Sequence, residues 1–262
     1  MADLEGRTII VSGVGPGLGR ETALVAAREG ATVVLGARTG ATLETVAAEI
    51  DPSGARVAHA VTDITDPDAC TRLVETATER FGRVDALVNC AALDAVFGGL
   101  EGAGDFAEWR AAFEVNVLGS LQMTRAALPE LARQRGGVVF ISSQTQHHPP
   151  PLALQAAYAA SKAGLTGAMR HVAQEVGARG VRLNEVAPGW MWGPPVEGYM
   201  SYLAQQRGVS QDEVVSELTA NMPLRRMATD EEVAEAVVFL ASPRASGITG
   251  QTLFVNAGEV MR

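Results

Sequence analysis

Thr8-Ile9-Ile10-Val11-Ser12-Gly13-Val14-Gly15-Pro16-Gly17-Leu18-Gly19 is the stretch on which the fold turns. A β-branched run of strand length passes directly into a glycine-rich turn, and the turn into an Ala-rich segment that reads as a helix to about Arg28. In that setting glycines allow a tight turn, a close approach of backbone to pyrophosphate and close packing of helix on strand. The helix N-terminus adds N–H donors and the positive end of a dipole. Such a turn suits a dinucleotide. An ordinary strand-to-helix turn would use the same glycines, so the rest of the chain has to decide.

Working outward, the alternation repeats. Strand-sized apolar runs lie at Thr32 to Leu35, Arg56 to Ala60, Ala86 to Val88, Val138 to Ile141, Arg182 to Val186 and Thr252 to Val255. Helical patterns separate them at about 40–50, 67–81, 107–134, 156–179 and 230–241. Continuous apolar strands joined by crossover helices predict an α/β protein with a doubly wound, mainly parallel seven-stranded sheet and helices on both faces. No linker or charge block divides residues 1–262, which read as a single dinucleotide-binding catalytic domain. The one irregular stretch, about 189–228, follows a strand's carboxyl end and reads as a substrate lid, with Asp230 capping the helix after it.

Composition removes several function classes. A chain of 262 residues buries enough surface to need neither disulfide nor structural metal. Cys70 and Cys90 lack partners at metal-ligand spacing and fit a reducing compartment. A formal charge of −9 argues against a nucleic-acid partner, and 47% hydrophobic residues argue against disorder. Met1 to Arg7 carries no basic stretch leading into an apolar run, and the longest apolar runs are strand-sized. The expectation is a soluble cytoplasmic protein without a membrane partner.

Gly13, Gly17 and Gly19, with Ser12 in front, resemble the Thr-Gly-x-x-x-Gly-x-Gly pattern of the short-chain dehydrogenases/reductases. Further marks of that family stand in its order: Asp63-Ile64, Asn89-Cys90-Ala91-Ala92, Asn116, Ser143, Tyr158-x-x-x-Lys162 and Pro188-Gly189. The resemblance spans nearly the whole chain and implies a single-domain Rossmann fold. It also implies hydride transfer between NAD(P)(H) and a secondary alcohol or ketone, and a homotetramer built through the two long helices and the C-terminal helix and strand. By the same resemblance Ser12, Gly13, Gly17, Leu18 and Gly19 cradle the cofactor, Asp63 meets the adenine edge and Ile64 its face. Asn89 then lies near the cofactor at the end of the fourth strand, with Pro188, Gly189 and Met191 along the nicotinamide half. Two positions depart from the pattern. Ala92 stands where the family has Gly, so a Cβ must be accommodated. Gly193 stands where the family has Thr, so one hydrogen bond to the nicotinamide half is lost or replaced.

At the end of the second strand, where an acidic residue would bind a ribose 2′-hydroxyl, the sequence reads Ala37-Arg38. A guanidinium there can pair with a 2′-phosphate and stack on adenine, which favours NADP, with NAD the alternative. The plainer reading of Arg38 is a solvated surface cation.

Tyr158 and Lys162 are four apart in a helical stretch and share a face, as a chance pair would. Tyrosine, with an ordinary pKa of about 10, is a poor base near neutrality; an adjacent ammonium favours the phenolate and predicts a lowered pKa. Ser143, at the end of its strand, can hold the substrate oxygen, with Ser142 the runner-up. The Ser143-to-Tyr158 gap is two residues longer than the family's usual spacing, which enlarges the loop between them. Asn116 resembles the family's helix-kinking Asn, whose backbone helps hold a water relaying protons to Lys162. A polar residue merely tolerated in a long helix would look the same. His147-His148 lacks two further ligands at useful spacing, so no metal is expected.

Trp190 and Trp192 follow Pro188-Gly189, and the lid beyond adds Tyr199, Tyr202 and Leu203. Opposite them, the loop from Gln144 to Leu152 holds Pro149, Pro150 and Pro151, with Gln144, His147, His148 and Gln155 able to bind a distal oxygen. These residues predict a bulky, mainly apolar ketone or alcohol. Both tryptophans would equally serve to pack the lid or a subunit contact. A redox-silent dinucleotide-binding regulator of the same fold is the alternative function; a complete Ser143, Tyr158 and Lys162 set weighs against it. An isomerase or dehydratase of an extended relative is disfavoured by length and by the lack of a separate sugar-binding domain.

Overall fold

The computed structural model describes residues 4–150 and 154–261. Pro151 and Leu152, part of the expected rim, lie outside the described residues. The β-branched runs form β1 (Thr8–Ser12), β2 (Thr32–Ala37), β3 (Val57–Val61), β4 (Ala86–Asn89), β5 (Gly137–Ile141), β6 (Arg182–Pro188) and, after a two-stranded ribbon described below, β9 (Thr252–Val255). They pair, all in parallel, in the order β3-β2-β1-β4-β5-β6-β9. The direction of travel across the sheet reverses between β1 and β4. A crevice opens at that switch point, outside the strands' carboxyl ends.

β1, β4 and β5 are buried along their whole length, which is why they read as unbroken apolar runs and not as alternating ones. Two cores result. On one face α1 (Leu18–Arg28), α2 (Gly40–Ile50) and α9 (Asp230–Ala241) pack over Val11, Val33, Leu35 and Val88. On the other α3 (Pro67–Phe81), α5 (Ser120–Gln134) and α6 (Ala156–Val176) pack over Ile10, Val34, Leu87 and Phe140.

The expected 107–134 helix is one rod of three parts. It comprises α4 (Ala107–Phe113), a π-helical stretch at Glu114–Gly119 that contains Asn116, and α5. The widened turn is a local reorganisation of the ladder, of the sort found at functional sites.

The 189–228 stretch is more ordered than its sequence reads. A two-residue ribbon, β7 (Met191–Trp192) with β8 (Ala228–Thr229), closes its base. Between them α7 (Pro194–Arg207) and α8 (Gln211–Thr219) bury Met200, Val214, Leu218 and Met222 in a small core of their own. The cap of α9 differs from expectation: Thr229, not Asp230, occupies the N-cap, and Thr229 with Glu232 completes a capping box. Asp230 is the helix's first residue.

Candidate active site

The turn after β1 is built at the limit of backbone contact. Gly13 has φ 95°, and a Cβ there would lie 2.1 Å from the Ala91 amide nitrogen, so the turn and the end of β4 can meet only without a side chain. Gly17, with φ 114°, turns the chain into α1. The resulting cleft, about 420 Å³, is lined by Gly13 to Pro16, by Arg38 and Thr39 after β2 and Thr42 in α2, by Asp63 and Ile64, and by Cys90 to Asp94. Ala92 has no positive φ, so its Cβ is held without strain on the exposed wall. An open cleft floored by side-chain-free turn and a helix N-terminus fits a dinucleotide.

The acidic and basic residues of the cleft divide their work. Asp63 accepts hydrogen bonds from the Thr65 amide at 2.9 Å and the Thr65 hydroxyl at 2.7 Å; with Arg38 nearby, these hold its carboxyl below the usual range. Arg38 is exposed. The Ser12 and Asn89 side chains do not line the cleft. Asn89 Nδ2 donates to Thr124 Oγ1 at 3.1 Å, under α5, while Asn89 Oδ1 and Ser12 Oγ are buried without partners among the described residues. Their direct part is confined to backbone: the Ser12 carbonyl accepts from the Cys90 and Ala91 amides. Leu18 and Gly19 are buried in the first turn of α1, and Met191 is half-buried against the core beneath.

At the carboxyl end of β5 the two serines part. Ser142 Oγ donates to the Val186 carbonyl, away from the site, whereas Ser143 lines the same cavity as Tyr158 and acts to lower its phenol's pKa. Ser143 also accepts from the Thr145 amide at 3.2 Å, which caps the short turn at Gln144–Gln146. Tyr158 and Lys162 share a face of α6. The Lys162 ammonium lies 5.5 Å from the Tyr158 ring centre and donates to the Ile141 carbonyl at 2.7 Å.

The expected lowering of the tyrosine pKa does not occur. Burial, with Asp94 nearby, pushes the Tyr158 phenol up, and the ammonium spends its charge on a backbone carbonyl. Burial brings Lys162 down to about 8. Asn116 acts here through its side chain. Its side chain brackets the backbone of Leu93, accepting from its amide at 2.7 Å and donating to its carbonyl at 3.0 Å, and donates to Ser161 Oγ at 2.9 Å. It ties the loop after β4 to α6, and so holds Asp94 and Tyr158 in one frame.

A cavity of about 180 Å³ adjoins the Ser143 and Tyr158 hydroxyls, lined also by Asp94, Gln144, Pro150, Gln155, Gly189 and Trp190. Of the expected substrate contacts Gln144 lines the cavity, whereas Trp192, His147 and His148 do not. Gln144 has its amide engaged by the C-terminal segment, donating to Glu259 at 2.6 Å and accepting from Asn256 at 2.9 Å. Trp192 packs among α7 and α8 and does not line the cavity. His147 sits against Phe254, 5.4 Å between ring centres, and neither histidine lines the cavity. Trp190 does face the cavity, stacked on Tyr199 at 6.2 Å with planes 3° apart. Gln155 holds the Asp94 carbonyl at 2.8 Å. Pro188 ends β6 beneath Gly189, whose missing side chain leaves room for Gln144 and Asn256. Sequence reading missed Asp94, Asn256 and Glu259, which reach the site through the fold and not through a local pattern.

The chain belongs to the short-chain dehydrogenase/reductase family: a family model described as enoyl-(acyl carrier protein) reductase matches residues 13–259. It is thus an NAD(P)-dependent oxidoreductase acting on CH–OH and keto groups. Its relatives include 3-oxoacyl-[acyl-carrier-protein] reductase FabG of Thermotoga maritima, 33% identical over 98% of this chain and 99% of the relative. Another is the 7alpha-hydroxysteroid dehydrogenase of Escherichia coli, 29% identical over 98% and 95% of the two chains. The solved aldohexose dehydrogenase of Thermoplasma acidophilum superposes with a TM-score of 0.83 at 29% identity, covering 100% of this chain and 96% of that one. No helix among the described residues is long and apolar enough to cross a membrane.

Proposed function

We propose that the protein interconverts a cyclic or otherwise bulky, mainly apolar ketone and its secondary alcohol with NADP(H), as a cytoplasmic homotetramer. The observation that carries the reading is that Ser143 and Tyr158 line one cavity together, with the Lys162 ammonium buried behind the ring. When bound, the cofactor supplies or accepts the hydride. Tyr158, kept as the neutral phenol by burial, donates its proton to the carbonyl oxygen in reduction, and Ser143 fixes that oxygen. Lys162 holds its charge beside the ring and, with Asn116 framing the loop opposite, restores the tyrosine's proton through ordered solvent.

Arg38 supports NADP: it is exposed on the cleft with Thr39 and Thr42 beside it, and no carboxylate follows β2 there. Trp190 on Tyr199 supports apolar bulk, as does kinship with a hydroxysteroid dehydrogenase. Size sets a bound. At about 180 Å³ the cavity falls below the roughly 300–1,000 Å³ of sites for drug-sized ligands, so one or two fused rings fit and anything longer requires the α7–α8 lid to move.

The test is kcat/KM for acetone, cyclohexanone, a decalone and a steroid ketone with NADPH and NADH. Efficiency should rise from acetone to decalone and fall in Trp190→Ala. Arg38→Leu should weaken NADPH roughly ten- to hundredfold while sparing NADH. A preference for acetone, or indifference to Trp190, defeats the substrate reading. Equal losses for both cofactors in Arg38→Leu defeat the phosphate reading.

A further inference from the structure

Asp230 is 7% exposed, and among the described residues its carboxylate has no hydrogen-bond or ion-pair partner, its oxygens keeping only a narrow contact with solvent. The cap of α9 does not explain it, because Thr229 and Glu232 make that cap between them. A buried carboxylate without a partner is unfavourable and calls for a reason.

Its position supplies one. The carboxyl group lies between the glycine-rich turn and the segment after β6. A Cβ on Gly193 would fall 1.8 Å from Asp230 Oδ2, and one on Gly17 would fall 3.4 Å from the same atom. The Asp230 carboxyl therefore occupies the volume that a side chain at 193 would fill, and it faces the turn that opens α1. That turn offers backbone donors and the positive end of a helix dipole, the natural seat of a diphosphate. An ionised carboxylate beside a diphosphate would oppose binding, whereas a neutral carboxylic acid in the same place is a hydrogen-bond donor to it.

We propose that Asp230 is a cofactor-binding residue that acts as the neutral acid, donating a hydrogen bond to a diphosphate oxygen, so that dinucleotide binding takes up a proton. The inference rests on the cofactor placement given above. In the step itself a solvent proton adds to the Asp230 carboxylate, one O–H bond forms, and no other covalent bond changes.

The surroundings agree. Burial and the like charge of Glu21 on α1 already bring Asp230 up to about 6. The nearby cations are taken: Arg20 on α1 pairs with Glu21 and Glu49, Arg28 with Glu231 and Glu235, and Arg226 with Glu232. Glu197 on α7 and Glu231 and Glu232 on α9 add only negative charge. The sign follows. Raising the pKa on binding from about 6 means that affinity falls as pH rises above about 6, by up to tenfold per unit, until the pKa of the bound form is passed.

Isothermal titration of NADPH and of NADH into the protein at pH 7, in buffers of different ionisation enthalpy, counts protons directly. NADH matters because it lacks the 2′-phosphate, which itself titrates near neutrality. Net uptake with NADH, and a Kd that weakens from pH 6 to 8, is the expected result. Asp230→Asn, a permanent neutral donor of the same size, should abolish both the uptake and the pH dependence and bind more tightly than wild type at pH 8. Dinucleotide binding without proton uptake, or an Asn variant that keeps the wild-type pH dependence, overturns the inference alone. No heat and no fluorescence change with either dinucleotide overturns the cofactor placement together with it.

Discussion

Tyr158 is the residue on which sequence logic and structure diverge most usefully. The i to i+4 spacing with Lys162 was legible, because helical geometry alone puts the two on one face. The electrostatic outcome was not, because it depends on what else the ammonium touches. With Lys162 Nζ donating to the Ile141 carbonyl, the phenol stays neutral, which suits a proton donor in reduction better than a base in oxidation. Tyr158→Phe should lower kcat for ketone reduction by about 100-fold or more while leaving the Kd for NADPH within a few-fold, since ring packing survives and the transferable proton does not. In the unaltered protein at saturating cofactor, reduction should hold level through pH 6–7.5 and decline as pH rises through about 8, where Lys162 gives up its proton. Stopped-flow rates across that range, alongside fluorescence titrations of the variant, check both; a Tyr158→Phe protein with near-normal turnover rules out the assignment. Gln144 shows the complementary limit. Its place at the site follows from the strand end before it, but its partners, Asn256 and Glu259, are more than a hundred residues away and leave no local trace.

Among the elements, the bounds of α3 and α9 were readable from their periodicity, although the cap of α9 was read one residue late, at Asp230 and not at Thr229. The β7–β8 ribbon was not readable, since two-residue strands have no period and depend on a neighbour supplied from 37 residues on. The π-helical stretch was invisible for a related reason. Its cause is tertiary: Asn116 is drawn to Leu93 and Ser161, and Gly119 lies against the Ile64 side chain, where a Cβ would fall 2.8 Å from Cγ1. Gly119→Ala should therefore overpack the junction and destabilise the fold by about 1–3 kcal/mol, measured by urea unfolding. It should also weaken dinucleotide binding through Ile64, which lines the cleft. Stability within 0.5 kcal/mol of wild type, on the scale of a neutral surface change, would show that the wide turn has slack to absorb the methyl.

For the whole molecule, a parallel sheet with both faces covered leaves β3 and β9 as its edges, and β9 is only half-buried, with Leu253 39% exposed. Beside it, Leu224 and Met261 are exposed as well. Edge strands of this kind are normally covered. Multi-angle light scattering should give four times the chain mass, and Leu253→Arg should shift the population to smaller species; a monomer at micromolar concentration dismisses the tetramer. The doubly wound fold was legible because seven apolar runs and their helices obey local rules, whereas subunit contacts follow from surface shape, which no short-range pattern encodes.

The hydrogen bonds that join Gln144 to Asn256 and Glu259 have a temporal consequence. The residues lining the 420 Å³ cleft, from Gly13 to Val115, are synthesised in the first half of the chain, yet the wall of the catalytic cavity is fixed by residues 256–259. A nascent chain can therefore possess a cofactor cleft well before it possesses a place for substrate, and a tag or trim at the C-terminus acts directly on catalysis although it lies outside every recognisable motif.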